Sequence, residues 1–180
     1  MARLEIVRSL PIADPHIEGR TIEGTALRWD TLYRVSDDGR RFYNEGFRRG
    51  AFTETIANRG NWFELRTEHF DCRIGRTEFE EASDGLRFRA SFDFGDVADD
   101  ELDLCRNGKR AGVSIRYTPQ HAERGGATGV WWRDRVDLRE LSLTSRPQYG
   151  ADARVLVMRN RPSEEDSDLR ALLDFKTPAI

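Results

Sequence analysis

The clearest pattern in the chain is an alternation of apolar and polar residues over positions 86–94, where leucine, phenylalanine and alanine occupy every second position. This period of two is typical of a strand with one buried face. Ser83-Asp84-Gly85 precedes it and predicts a hairpin turn, so residues 74–81 are the predicted antiparallel partner. Similar patterns predict further strands at 21–35, near 41–43 after a turn at 36–39, at 113–117 and at 130–144.

Two segments have the features of short helices. Residues 51–57 are followed by the stop signal Asn58-Arg59-Gly60. Residues 97–105 carry acidic side chains in their first turn, and Asn107-Gly108 follows their last one. Many strands with one or two short helices predict a mainly β fold of the α+β class, in the form of an antiparallel barrel with helices packed around it.

Length and composition indicate one globular domain. A chain of 180 residues is long enough to bury a single core. Aromatic residues make up 10% of it, which is too many for a disordered chain. We expect an N-terminal segment at 1–19, where two prolines and a glycine break any long element. A main domain at 20–158 and a polar C-terminal tail or linker at 159–180 follow.

Charge and cysteine content argue against several classes of protein. The net charge of −3 comes from 29 basic and 32 acidic residues mixed along the chain. Non-specific nucleic-acid binding needs a segregated basic face instead, so no nucleic-acid partner is expected. No run approaches the ~18 apolar residues of a membrane span, and the N-terminus has no apolar signal segment. Cys72 and Cys105 are too few for a disulfide framework, which favours a reducing cytoplasm.

Three positions carry the side chains that a serine hydrolase needs: a base in His69, a nucleophile in Ser114 and an acid in Glu140. A serine hydroxyl becomes a good nucleophile only when an imidazole lies within hydrogen-bond reach and a third group holds that imidazole in one tautomer. The chain has three histidines. His16 stands among turn residues and His121 at the start of a predicted loop, and their spacing to Cys and Asp predicts no zinc site.

Each of these residues also has an ordinary structural explanation. His69 fits a packing or surface histidine as well as a base. Ser114 lies on the strand face opposite Val113 and Ile115, which fits an outward-facing strand serine. No G-x-S-x-G surrounds Ser114, and this excludes the nucleophile elbow of α/β-hydrolases.

The strand around Glu140 changes its apolar register. Val136 and Leu138 share the face of Glu140, whereas Leu141 and the apolar residue two positions on lie on the opposite face. This shift predicts a β-bulge near 139–140, and a bulge can turn a side chain toward a site. The alternative is a half-exposed strand glutamate paired with Arg139 or Arg116.

Around these residues the chain resembles the prohead (capsid-maturation) proteases of tailed bacteriophages. The resemblance covers about residues 20–157, and the order, types and spacing of its segments together make it specific. The segments are 22–26, 46–52 (an f-x-x-G-A-F signature), 68–69 with 74–75 (E-H and I-G), 84–86 (d-G-L), 112–117 (around Ser114), and 140–143 with 147 and 151–155.

The resemblance implies a serine endopeptidase in the domain at 20–158, with an antiparallel barrel of the herpesvirus-assemblin type. His69 and Ser114 map to the catalytic pair, and Glu140 maps to an acidic position of the motif that we take as the third member. Assemblin-type enzymes use a second histidine there, so His121 is the alternative. Their oxyanion-stabilising loop carries an arginine, which implies that role for Arg146 or its neighbouring N–H.

The resemblance also implies partners and a location. The implied substrates are the phage major capsid protein with its scaffolding segment and the protease itself, with autocleavage in the polar stretch after residue 159. It implies no cofactor, metal or membrane partner, leaves a homo-oligomer open, and implies a location in the bacterial cytoplasm inside the immature capsid.

Two other readings remain at this point. Ser145-Arg146-Pro147 replaces the apolar residues expected before the proline. This departure keeps open the runner-up to the protease, a non-catalytic scaffold or capsid-assembly module with the same barrel. In the other reading, an unrelated ligand-binding barrel, His69 and Ser114 would lie far apart.

Overall fold

The computed structural model describes residues 6–11, 13–36, 42–68, 72–125 and 129–145. These residues form ten strands and two helices. In chain order the elements are β1 (Ile6–Pro11), β2 (Ala13–Glu18), β3 (Thr21–Arg28), β4 (Tyr33–Ser36), β5 (Phe42–Phe47), α1 (Thr53–Asn58), β6 (Phe63–Thr67), β7 (Arg73–Glu81), β8 (Gly85–Phe92), α2 (Asp96–Arg106), β9 (Gly112–Gly125) and β10 (Val130–Thr144).

The strands form one mixed sheet organised around β10. Its main path runs β1-β9-β10-β6-β7-β8-β3-β2, and the β4–β5 hairpin joins β10 through β5. One edge of β10 is antiparallel to β9, while its other edge runs parallel to β5 at 131–133 and to β6 at 140–143. Between those two pairings α1 approaches the strand, where Val136 N–H donates to the carbonyl of Ala51 and Leu138 N–H donates to Thr55 Oγ1.

The expectation of a closed antiparallel barrel is not met. Two of the pairings to β10 are parallel, and among the described strands β1 and β2 stand at the two ends of the sheet path without pairing to each other. Both end strands come from the N-terminal segment, where the prolines were expected to break any long element. Proline is tolerated in strands at sheet edges and bulges. Pro11 ends β1, and Pro15 lies at an irregularity in the β2–β3 pairing.

Most of the predicted local elements are confirmed. The β7–β8 hairpin, both helices and β10 lie where the pattern places them, and residues 86–92 alternate between core and solvent. Phe94 departs from this alternation and is 89% exposed, because β8 ends two residues earlier. The predicted strand at 21–35 is divided into β3 and β4 by a turn at Asp30, whose φ is +53°. Residues 37–41, which include most of the predicted turn, lie outside the described residues.

Two segments of the family resemblance have a clear structural basis. Gly75 in β7 lies so close to β8 that an added Cβ would stand 2.1 Å from the Ser91 carbonyl oxygen, and this excludes any larger residue without a shift. Gly50, with φ +95°, makes the turn before α1. The carboxylate of Glu81 accepts hydrogen bonds from the N–H groups of Gly50 and Phe52 (3.1 and 3.0 Å) and from the hydroxyl of Thr53. Glu81 thereby ties the start of α1 to the end of β7.

A buried ion pair joins β5, β9 and β10 within the core. Glu45 has no exposed surface, and its Oε2 lies 2.8 Å from both Nε and an Nη of Arg133. Its Oε1 accepts a 2.7 Å hydrogen bond from the hydroxyl of Tyr117. Tyr117 also packs edge-on against Phe47, with ring centroids 5.4 Å apart. The strand that carries Ser114 is therefore anchored by a charged group as well as by apolar packing.

Two further expectations concern membrane-spanning segments and domain boundaries. None of the helices in the described ranges is long and apolar enough to cross a membrane. The domain boundaries at 19–20 and 158–159 stay predictions, and the tail at 159–180 lies outside the described residues.

Candidate active site

The chemistry-bearing residues gather on one face where β9, β10 and β6 lie side by side. Neighbouring residues of a strand point to opposite faces, and the other face of these strands carries core residues such as Val113, Leu65 and Leu141. Ser114 pairs with Ser142 across β9 and β10, and Glu140 pairs with both Arg116 and Glu64. The polar face consists of Ser114, Arg116 and Thr118 on β9, Glu140, Ser142 and Thr144 on β10, and Glu64 and Arg66 on β6.

Ser114 occupies the centre of this polar face. It lies in β9 between β1 and β10, opposite Ser9 on one side and Ser142 on the other. The prediction that Ser114 points away from the hydrophobic face is confirmed by the core positions of Val113 and Ile115. The ordinary alternative, a strand serine exposed to solvent, does not fit, because Ser114 is fully buried. Ser114 is buried although it lies on the face opposite the core, so other parts of the chain must pack over the polar face. The alternation of residues along a strand cannot predict such packing.

Glu140 follows the predicted bulge. The β9–β10 register shifts between Leu138 and Glu140, so Arg139 is the extra residue of β10. The shift gives Glu140 a place on the polar face, where it is only 5% exposed. Of the two predicted arginine partners, Arg116 is confirmed, whereas Arg139 pairs with Asp137 instead, at 2.8 Å.

Ser142, Arg66 and Arg116 all contact the carboxylate of Glu140. The hydroxyl of Ser142 donates to Oε1 at 3.0 Å. Arg66 Nε lies 3.2 Å from Oε2 and Arg116 Nε 3.5 Å from Oε1, so the buried negative charge faces two guanidinium groups. A buried carboxylate is tolerated only when it is paired and hydrogen-bonded, and these contacts meet both needs. Arg66 is shared with Glu64, which its Nε contacts at 2.8 Å.

Glu68, directly after β6, is the centre of a second cluster. Its N–H donates to the Leu143 carbonyl at 2.8 Å, and its φ of +44° is rare for a residue with a side chain. Its Oε1 accepts hydrogen bonds from the N–H (2.8 Å) and hydroxyl (2.9 Å) of Ser145, and its Oε2 from the hydroxyl of Thr144 (2.9 Å). Arg110 completes the set with an ion pair to Oε1.

Arg110 connects this cluster to α2. Its Nε and an Nη donate to the two oxygens of Glu101 at 2.7 and 3.0 Å. This bidentate (two-pronged) contact fixes the orientation of the guanidinium plane. Hydrogen bonding to Glu101 raises the pKa of Arg110, against the opposing effect of burial. Burial raises the pKa of Glu68, but the hydrogen bonds of Ser145 and Thr144 and the charge of Arg110 outweigh it, so the pKa of Glu68 is lowered. We call Glu68, Arg110, Glu101, Thr144 and Ser145 the Glu68 brace.

The brace was not predicted from the sequence. Glu68 appeared there only as the neighbour of His69, and Arg110 belonged to none of the segments of the resemblance. The distances of these residues along the chain, 42 positions from Glu68 to Arg110 and 77 from Glu68 to Ser145, leave no local pattern. The one available signal for Glu68 was its place beside His69 in the E-H segment of the resemblance.

Two predicted site residues, His69 and Arg146, lie outside the described residues. His69 directly follows Glu68 in the chain, and Arg146 directly follows Ser145. The alternative third residue, His121, does not open a loop as expected but lies within β9, exposed, with Nδ1 2.6 Å from an oxygen of Asp134. It stands seven positions along the same strand from Ser114, a separation of about 20 Å. The structure therefore brings Glu140, and not His121, to the region of Ser114.

No cluster of metal-ligating side chains is found in the part of the chain that the structure describes. The polar face is built instead from carboxylates, guanidinium groups and hydroxyls, which can hold a charge in place and move a proton.

Comparison with known proteins shows the family. The family model described as "Caudovirus prohead serine protease" matches residues 9–167. The chain therefore belongs to the prohead serine proteases of caudoviruses, as the resemblance predicted, and an unrelated ligand-binding barrel is excluded. Among solved structures, the capsid assembly protease gp21 of bacteriophage T4 is similar, with a TM-score of 0.56 and 13% identity over 79% of this chain and 98% of that one. This likeness supports a common fold. None of the curated proteins matches the chain.

Proposed function

We propose that this protein is the maturation protease of a tailed phage prohead, with Ser114 as nucleophile, His69 as general base and Glu140 as the acid that orients it. The observation that carries the proposal is the polar face, where Ser114 lies one strand away from the Glu140 carboxylate, which Ser142, Arg66 and Arg116 hold. A triad needs such a fixed acid, because the imidazole must be kept in one tautomer and its positive charge stabilised as it forms.

The proposed reaction is acyl transfer. His69 takes the proton of Ser114 Oγ while that oxygen forms a bond to the scissile carbonyl carbon. The carbon–nitrogen bond then breaks, and His69 returns the proton to the departing amine. Water releases the acyl group by the same steps, with its proton passing through His69 back to Ser114. Arg146, or an N–H beside it, is proposed to stabilise the oxyanion.

The burial of Ser114 has a consequence for this reaction. A residue with no exposed surface reacts with a peptide only after the groups covering it have moved. We therefore expect reaction with small electrophiles to be slow in the free protein.

The proposed substrates are the major capsid protein with its scaffolding segment, and the protease itself, inside the immature capsid. Family membership and the likeness to a capsid assembly protease support this part of the proposal. Cleavage within the segment after residue 159 is proposed as the self-processing event, and a homo-oligomer remains open.

The experiment uses the purified full chain and a fluorophosphonate probe, which reacts with activated serines. We expect one label per chain, located at Ser114 by peptide mass spectrometry and lost in Ser114→Ala. His69→Ala should reduce the labelling rate at least as strongly as Glu140→Gln, for which we expect a loss of about 10³–10⁴-fold. Ser142→Ala is the matched control, because Ser142 is equally buried directly opposite Ser114. It should keep the label, at a reduced rate.

A second measurement tests the substrate. Co-expression with the phage's own capsid protein should yield the shortened capsid protein, and Ser114→Ala should leave it at full length. A folded wild-type chain that neither reacts with the probe nor shortens the capsid protein would support the non-catalytic assembly module instead.

A further inference from the structure

We infer that Glu68 is a positioning residue of the proposed site: its brace holds the end of β6, immediately before His69, against the end of β10, immediately before Arg146. The inference rests on the proposed function, since it assigns Glu68 a part in the reactivity of Ser114. Among the described residues, the hydrogen bonds and ion pair of Glu68 go to Leu143, Thr144, Ser145 and Arg110 and not to Ser114.

The first argument is the number of independent contacts on one side chain. The carboxylate accepts from the N–H and hydroxyl of Ser145 and from the hydroxyl of Thr144, and pairs with Arg110. The N–H of Glu68 is bonded to the Leu143 carbonyl as well. Backbone and side chain together fix the end of β6 to Leu143 and Thr144 of β10 and to Ser145 directly after it.

The second argument is the rigidity of the support behind it. Arg110 is 16% exposed, and the two-pronged contact with Glu101 fixes its guanidinium before it reaches Glu68. Glu101 is itself buried in α2. The end of β6 is thus connected through Arg110 to α2 as well as to its neighbours in the sheet.

The third argument is the backbone of Glu68. A φ of +44° is unfavourable for a residue with a Cβ and persists when surrounding contacts enforce it. Such a conformation redirects the chain abruptly at the residue before His69. Glutamine at position 68 has to adopt the same positive φ as glutamate. The effect of Glu68→Gln therefore measures the contribution of the carboxylate charge and not that of the backbone conformation.

The test compares rates of Ser114 labelling by the fluorophosphonate probe in the full chain, together with the pH profile of that rate, the labelled fraction at saturation and the melting temperature. Glu68→Gln should lower the plateau of the pH–rate profile by about 10–100-fold, because small displacements of reacting groups reduce rates by about 10². The labelled fraction at saturation should stay at one per chain. Arg110→Lys, which keeps the charge but loses the two-pronged contact, should give an intermediate plateau.

Glu81→Gln is the matched control. Glu81 also accepts hydrogen bonds from two N–H groups and one hydroxyl, but at the start of α1. It should lower the melting temperature and leave the labelling plateau unchanged, which separates positioning from general stability. A wild-type plateau in Glu68→Gln would overturn the inference while leaving the proposed function intact. If Glu68→Gln does not fold, an unchanged plateau in Arg110→Lys overturns it. Absence of wild-type labelling at Ser114 would overturn the proposed function and this inference together.

Discussion

The buried ion pair between Glu45 and Arg133 gives a sharp prediction about stability. Glu45→Gln preserves the shape of the side chain and an acceptor for the Tyr117 hydroxyl, but removes the negative charge. The guanidinium of Arg133, with an 8% exposed side chain, then keeps its charge in the core without the carboxylate that two of its nitrogens contact. Breaking a buried pair from one side costs about 3–5 kcal/mol of unfolding free energy. That is a large part of the roughly 5–15 kcal/mol typical of a domain.

The measurement is equilibrium unfolding in urea of wild type, Glu45→Gln, Arg133→Met and the double variant. Removing both charges should destabilise less than the sum of the single changes, with a coupling of about 1–3 kcal/mol, because neither charge is then left unpaired. Asp103→Asn is the control: Asp103 pairs with Arg106 on the surface of α2, and the change should stay within about 0.5 kcal/mol. Additive single effects, or a loss below 1 kcal/mol in Glu45→Gln, would refute the reasoning.

Three further predictions test other parts of the fold. Gly75→Ala should lower the melting temperature, with a loss of about 1–3 kcal/mol in unfolding free energy, because its Cβ would overlap the carbonyl oxygen of Ser91; an unchanged melting temperature would contradict this close approach. In the native protein a thiol reagent should modify Cys72, which is exposed, while Cys105, whose pKa burial and the nearby Glu101 raise to about 12, should react only after unfolding; fast modification of both argues against the predicted difference. The pKa of Glu68 is lower in the folded than in the unfolded chain, so its stabilising contribution is present above about pH 4.5 and is lost as the pH falls through the folded value. Urea unfolding between pH 6 and 3 should therefore show a weaker pH dependence in Glu68→Gln than in wild type, and identical pH dependence would count against it.

Much of the local structure could be predicted from the sequence because strand and helix periods are local properties. The alternation over 86–92, the turn before it and the helix stop signals all depend on neighbours within a few residues. The same rules failed for residues 6–18, where prolines argued against strands. These strands tolerate proline because they lie at the ends of the sheet path. The position of a strand within a sheet is set by partners that are distant in the sequence, so local patterns do not reveal it.

Some features of the candidate site could also be predicted from the sequence, whereas others could not. The bulge at Arg139 was visible as a shift in apolar register, and it explains how Glu140 comes to the polar face. The two guanidinium groups at Glu140 come from β6 and β9, so only one of them was anticipated. His121 was kept as an alternative because nothing local revealed that it lies in the same strand as Ser114, too far away to contact it.

By itself the sequence determined the family, the mainly β character of the chain and the strand phase that turns Ser114 away from the core, because each depends on residue types in order or on short-range periodicity. Only the tertiary structure decided that the sheet is mixed and open, that Ser114 is buried, and that the carboxylate of Glu68 contacts Arg110, Thr144 and Ser145. These features come from contacts between positions tens of residues apart. Their formation depends on the packing of the whole chain and leaves no periodic trace in the sequence.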